Sequence, residues 1–292
     1  MTYASTDDLA KQVNSEAVSA VVWIGGGKTI DAAKGVAVRL NRPMVTVPTI
    51  ASNDSPMSAS IAMYDDRHVM IAIDRMPRSP DLVVVDTRLI AAAPAHFLRA
   101  GIGDAIAKTF EANGCTKGTG NTPFGTRPLL TASVIADACY MVLRRHAAAA
   151  LHAVQSGLLT EDVEATVKAV VLMSGLGFEN GGLSIAHSLT RGLVLARGAK
   201  SAIHGNQVAY GTLVQLAAEE RDVGFILGVM GFRRSIGLPT SLAELGMADA
   251  TEAEIEQLAG LTMTAPHLAN VVRPVDKVAI AAAIRHIESL AA

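Results

Sequence analysis

Three consecutive glycines, Gly25-Gly26-Gly27, followed by Lys28-Thr29, stand between the apolar run 20–24 and the helically spaced Ile30, Ala33, Ala37 and Leu40. A strand, a tight turn and a helix in that order aim backbone N–H groups and a helix N-terminus at one point, which suits a phosphate. The segment fits neither of two better-known phosphate loops. A Walker A loop needs glycine where Val22 stands, and the dinucleotide pattern needs its third glycine where Ile30 stands. An ordinary strand-to-helix turn accounts for the same residues, although such a turn needs only one or two glycines.

Further short apolar runs at 44–47 and 82–85 read as strands that follow the first in a parallel α/β arrangement. Between them, 60–63 and 69–73 flank Asp65-Asp66-Arg67 and predict a hairpin. Asp86-Thr87 signals the start of a helix. From Pro94 onward, long Ala/Leu/Val-rich stretches with helical spacing take over, with breaks expected near 114–128, 157–161, 175–182, 196–205 and 237–240. The expected organisation is a partial α/β domain over 1–95 and an all-α domain over 96–292.

Half of the 292 residues are hydrophobic and the formal net charge is −2, so nothing draws the chain to nucleic acid or an acidic membrane surface. Aromatics at 4% are too few for base-stacking platforms. Two cysteines, Cys115 and Cys139, argue against a disulfide framework. Residues 2–16 lack a signal-peptide core, and the apolar stretch 129–143 is interrupted by Asp137 and expected to stop at Arg144-Arg145. The expectation is a cytoplasmic protein with no membrane span.

Three residues could hold a metal. Asp104 is expected at the entry of a helix, His187 inside a small-residue helix, and His204 between a loop and a helix, each with glycines nearby. One carboxylate and two imidazoles suit a catalytic zinc with an open position. Their long-range spacing has no motif specificity, and any one of these histidines alone reads more readily as a structural core or surface residue. The loop 48–56 after the second strand adds Thr49, Ser52, Ser55 and Asp54 at the carboxyl end of the sheet, where ligands collect in open α/β folds. A plain polar turn is the alternative there.

Taken together, Gly25-Gly26-Gly27-Lys28-Thr29-Ile30-Asp31, Val47-Pro48-Thr49-Ile50-Ala51-Ser52-Asn53-Asp54, Ala100-Gly101-Ile102-Gly103-Asp104, Ser174-Gly175-Leu176-Gly177-Phe178-Glu179 with Gly181-Gly182, and His204-Gly205 closely resemble the zinc-containing glycerol dehydrogenases. These form a branch of the iron-containing alcohol dehydrogenase superfamily. The resemblance implies the dehydroquinate synthase-like fold, an α/β nucleotide-binding domain followed by an α-helical metal-binding domain. It implies NAD-dependent oxidation of glycerol, or of vicinal diols such as 1,2-propanediol, in a homo-oligomer. By that likeness Asp104, His187 and His204 hold zinc and Asp54 meets a substrate hydroxyl. Gly26, Gly27, Lys28, Thr29, Thr49, Ser52, Ser58, Ser60 and Tyr64 line the NAD site, with Ser60 standing where the family usually has leucine.

In that family more of the α/β domain precedes the glycine turn, including the acidic residue for the adenine-side ribose. The expectation is therefore an N-terminally shortened domain. Its alternative consequence is a form that binds zinc and polyol with impaired NAD binding and little turnover. Dehydroquinate synthase or glycerol-1-phosphate dehydrogenase chemistry is a further alternative, disfavoured because the loop 51–57 has no lysine or arginine for an anionic substrate.

Overall fold

The structure is a computed structural model that describes residues 2–13, 17–66 and 70–292, without the side chains of Lys28 and Met70. After a first helix, α1 (Tyr3–Lys11), the chain builds a βαβ unit from β1 (Val21–Gly25), α2 (Gly27–Leu40) and β2 (Met44–Pro48). β1 and β2 are parallel, with Val21 opposite Met44 and Gly25 opposite Pro48. Asn41 at φ +50 closes α2 in the left-handed conformation that asparagine tolerates.

The antiparallel pair β3 (Ser60–Tyr64) and β4 (Met70–Arg75) follows as a separate hairpin. Arg67 and His68, in its expected turn, lie outside the described residues. β5 (Leu82–Val83) joins the far side of β2, giving the parallel order β1-β2-β5. Only two of the four residues expected in this last strand pair.

Alternation in β1 turns Trp23 inward while Val22 and Ile24 face outward. Trp23 packs with Ile30 and Ala37 of α2, Met44 of β2, and Ala59, Ile61, Met63 and Met76 of the hairpin region, forming one small core. A much larger core fills the helices that follow: α3 (Thr87–Ala92), α4 (Ala95–Lys117), α5 (Leu130–Gln155), α6 (Glu161–Lys168), α7 (Ser174–Gly181), α8 (Ile185–Leu193), α9 (His204–Ala218), α10 (Val223–Ser235), α11 (Glu252–Thr262) and α12 (Lys277–Ala291). Ile90 and Ala91 of α3, and Ala51 from the loop after β2, belong to this second core.

The helical half departs from expectation in three places. α5 runs past Arg144-Arg145 to Gln155, and Asp137, expected to interrupt it, accepts a hydrogen bond from the Thr109 hydroxyl of α4. The glycine-rich stretch 175–181 is helical rather than a break, because α7 packs closely on its neighbours at those glycines. A Cβ on Gly175 would meet Met57 at 2.6 Å and one on Gly181 would meet Ala112 at 2.8 Å. Between α6 and α7 lies a π-helical turn, residues Ala169–Met173, and the helix ends only at Gly182. Thirdly, Asp104 lies in the third turn of α4, not at its entry.

Both cysteines are free and buried. Among the described residues no single helix is long and apolar enough to cross a membrane.

Candidate metal centre

Asp104, Lys108 and Glu111 are spaced i, i+4, i+7 along α4 and therefore share one helix face. All three are at most 1% exposed. Fully buried charges survive only when paired, and these are paired with each other and with His187 from another helix. His187 enters from the first turn of α8 and His204 from the first residue of α9.

Two close approaches make the convergence possible. A Cβ on Gly205 would sit 1.8 Å from the Ala100 carbonyl oxygen, and one on Gly103 would sit 2.5 Å from the Gly205 carbonyl. With hydrogens in place of methyls there, α4 and the start of α9 touch backbone to backbone, which delivers Asp104 and His204 to the same point.

One ligand-type atom from each of Asp104, His187 and His204 lies within 4.8 Å of the others. The two imidazole centroids are 5.3 Å apart. His187 is oriented from behind: its Nδ1 is 2.7 Å from Glu111 Oε2, and Glu111 Oε1 accepts from the backbone N–H of His187 and of Ser184. Although burial opposes it, the His187 charge and hydrogen bond hold the Glu111 carboxyl below its usual range. Ionised Glu111 can only accept, so Nδ1 carries the hydrogen and Nε2 faces Asp104 Oδ1 at 3.2 Å.

The two histidines differ in charge preference. Burial would lower His187, but Glu111 and Asp104 outweigh it and raise its pKa to about 9. His204 has no such carboxylate bond, and burial lowers it to about 4. Asp104 is held well below the carboxylate range, because Lys108 and His187 overcome its burial. The chemistry of this donor set, one ionised carboxylate and two imidazoles with one ring fixed by a further carboxylate, fits a divalent metal.

Asp54 reaches the same cluster from the loop after β2. Its Oδ2 accepts from the Ser174 hydroxyl at 2.7 Å and lies 3.3 Å from Lys108 Nζ, which is itself 2.8 Å from Asp104 Oδ1. Burial raises the Asp54 pKa despite the nearby ammonium. The loop is suspended by several bonds. Lys34 Nζ donates to the carbonyls of Ser55 and Ser60 at 2.8 and 2.9 Å, and the Thr46 hydroxyl donates to the Pro56 carbonyl at 2.8 Å. Glu179 of α7 accepts from the Ala59 backbone N–H and from the Ser79 hydroxyl, tying the helices to the sheet side.

The residues expected at the cofactor have varied placements. The N-terminus of α2 begins at Gly26-Gly27 with no side-chain cap, and the Thr49 backbone N–H donates to the Gly25 carbonyl at 2.9 Å, holding the second loop beside it. Ile50 lies over Gly26, where a Cβ would meet its Cδ1 at 3.0 Å. The Thr29 hydroxyl is already engaged, accepting from Trp23 Nε1 at 2.7 Å and donating to the Gly26 carbonyl. Ser58 is buried and its hydroxyl accepts from the Ser60 N–H, while Ser60 also gives its carbonyl to Lys34. Tyr64, on β3, and Ser52 are partly exposed. The Lys28 side chain lies outside what the structure describes.

Sequence reasoning missed Lys108 and Glu111. They had a signal: with Asp104 they place three charges at i, i+4, i+7 in the otherwise uncharged stretch 100–116.

The chain is similar to several known proteins. Residues 1–87 match the family model described as iron-containing alcohol dehydrogenase. A glycerol dehydrogenase from Thermotoga maritima is 40% identical over 84% of this chain and 67% of its own length. A glycolaldehyde reductase from Halobacterium salinarum is 38% identical over 87% of this chain and 71% of its own. The crystal structure of a probable glycerol dehydrogenase from Sinorhizobium meliloti superposes with a TM-score of 0.94 at 38% identity, covering 99% of this chain and 82% of that one. The chain spans about two thirds of the length of several curated relatives it matches. On these matches the chain belongs to the iron-containing alcohol dehydrogenase family.

Proposed function

We propose that the protein is an NAD-dependent glycerol dehydrogenase, acting on glycerol and related vicinal diols, with zinc held by Asp104, His187 and His204. The observation that carries this is the joining of Asp104, one of the three clustered donors, to Asp54 through one buried ammonium, which sets a hydroxyl-binding carboxylate beside a metal-type cluster. Zinc, when bound, supplies Lewis acidity that eases loss of the substrate hydroxyl's proton, and NAD, when bound, takes up the hydride.

The chain's own residues do the positioning. Glu111 keeps His187 in the tautomer that presents Nε2 to the site. Asp54, fixed by Ser174, accepts a hydrogen bond from a polyol hydroxyl and orients the reacting carbon. The uncapped start of α2 at Gly26-Gly27 receives the cofactor's pyrophosphate, with Lys28 and Thr29 in its first turn. The loop from Thr49 and Ser52 to Ser58 and Ser60, with Tyr64, lines the nicotinamide side. A boundary near residue 95 separates a nucleotide-binding unit from a metal-binding unit.

Relatives at 38–40% identity that are named for dehydrogenase turnover favour a working enzyme over a polyol-binding form of impaired turnover. The test is zinc stoichiometry, NADH titration by fluorescence, and NADH production from glycerol with zinc present. One zinc per chain, saturable NADH binding and glycerol-dependent turnover are expected. Zinc and glycerol binding with no response to NADH would overturn the enzyme.

A further inference from the structure

Lys108 is the cation at the centre of the cluster, and the dehydrogenase reading assigns it no task. Its Nζ lies 2.8 Å from Asp104 Oδ1, 3.3 Å from Asp54 Oδ2 and 3.3 Å from His187 Nε2. An ammonium has three hydrogens to donate and no lone pair; the two carboxylates accept from it, and His187 Nε2 joins them as an acceptor only when the ring is neutral. Two of them, Asp104 and His187, are also donors in the candidate metal set. Lys108 and a divalent ion therefore draw on the same atoms.

The charges sharpen the point. With both imidazoles neutral, as ligands to a metal must be, the cluster contains three buried carboxylates, Asp54, Asp104 and Glu111, and one ammonium, leaving two negative charges. A divalent ion balances that remainder only if Lys108 stays charged. The acceptor left to the ammonium once Asp104 and His187 are engaged elsewhere is Asp54, already within 3.3 Å. The Phe178 ring, 5.3 Å from Nζ, offers a further cation-accepting face in the same place.

We propose that Lys108 is a resident cation that holds Asp104 beside Asp54 before the metal arrives and passes wholly to Asp54 when the metal binds, so that it lowers the site's affinity for the ion while keeping the site assembled without it. This rests on the metal reading of Asp104, His187 and His204. It makes Lys108 a positioning residue that sets metal affinity and lets the ion exchange on a folded protein.

The test uses the 292-residue chain treated with chelator, measured with and without added zinc by competition titration and by thermal unfolding. In Lys108→Met the like charge next to the ion is gone and two carboxylates lose their partner. Zinc affinity is expected to rise about tenfold or more. The melting temperature should fall far more without zinc than with it, so the zinc-induced shift widens. A purely structural lysine would lower both melting temperatures alike and leave affinity unchanged or weaker, and that result would overturn the proposal. If Lys108→Met is obtained folded only when zinc is supplied, the same widening is shown in its extreme form. Lys108→Gln, which drops the charge but keeps a donor, then supplies the affinity, again expected to be tighter than wild type; equal or weaker binding overturns the proposal. Failure of the wild type to bind one zinc would overturn the metal site itself, whereas wild-type binding with unaltered variants would overturn only the role of Lys108.

Discussion

The metal corner and the cofactor loops are held by different kinds of bond. Asp104, His187 and His204 come from three helices and meet through their side chains, of which Asp104 is buried, backed by the buried Glu111 and Lys108. The loops at 25–29 and 48–60 are held chiefly through main-chain groups: the Gly25, Ser55, Pro56 and Ser60 carbonyls and the Ala59 N–H. A side-chain network specifies a ligand by its own atoms, so the helical corner is selective and rigid. A loop bound by its main chain keeps its shape while leaving its outward side chains open to variation. The same enzyme can thus hold its metal chemistry constant while substrate and cofactor preferences drift.

The strongest way to break this contrast is Gly205→Ala. Its methyl would meet the Ala100 carbonyl at 1.8 Å, forcing α9 off α4. We expect loss of about 3 kcal/mol or more of stability, together with loss of zinc binding, measured by urea unfolding and zinc titration. Retention of both would show that the backbone contact is not what assembles the corner.

On the loop side, Lys34 supplies a pH test. Burial lowers its pKa from 10.5 to about 8, only partly offset by Asp31 and Glu179. Between those values the unfolded chain binds the proton and the folded chain does not, so stability rises with pH over that window. The gain is about 3 kcal/mol in all. Lys34→Met should lack this increment when its unfolding free energy is followed from pH 8 to 10.5 beside wild type. Parallel curves for the two proteins would refute the assignment.

Glu111→Gln sharpens the helical side. Amide in place of carboxylate leaves the fold but weakens the hold on His187 Nδ1–H, so zinc affinity should fall about 10–100-fold. Stability without zinc should change far less than in Gly205→Ala. The smallest effect is expected from Ser174→Ala, which removes one hydrogen bond to Asp54 and should cost about 1 kcal/mol. Its kinetic signature should be a raised KM for glycerol, with zinc affinity untouched.

The same contrast explains what could be read beforehand. The parallel strands and α2 were legible because short apolar runs and the triple glycine mark their ends in the residues themselves. Asp104, His187 and His204 could be singled out because each sits among glycines, and the close approaches at Gly103 and Gly205 are the physical reason those glycines are there. Lys108 and Glu111 escaped notice because charged residues on a helix usually mean a solvated face, and only the packing of α7, α8 and α9 against α4 buries this one. The stretch 175–181 misled because its glycines suggested a loop, whereas they serve as contact points for a helix. The π-helical turn has no residue signature at all, since it is a change of hydrogen-bond partner rather than of composition.

That turn, Ala169–Met173, governs the phase of everything after it. Each residue of an α-helix advances the side-chain direction by about 100°. A π turn takes up one residue more than an α turn, so the extra residue is absorbed there and the helix on either side keeps its phase. Ser174 and Glu179 thereby still point at Asp54 and Ala59. Removing one residue between Ala169 and Met173 should let α6 run into α7 as ordinary α-helix with that phase nearly kept, so the cost should fall on the side chains of the turn itself. A residue inserted into α7 between Ser174 and Glu179 has no such turn to absorb it and should part the two by roughly 100°. Spare length, more than identity, is what these five residues contribute.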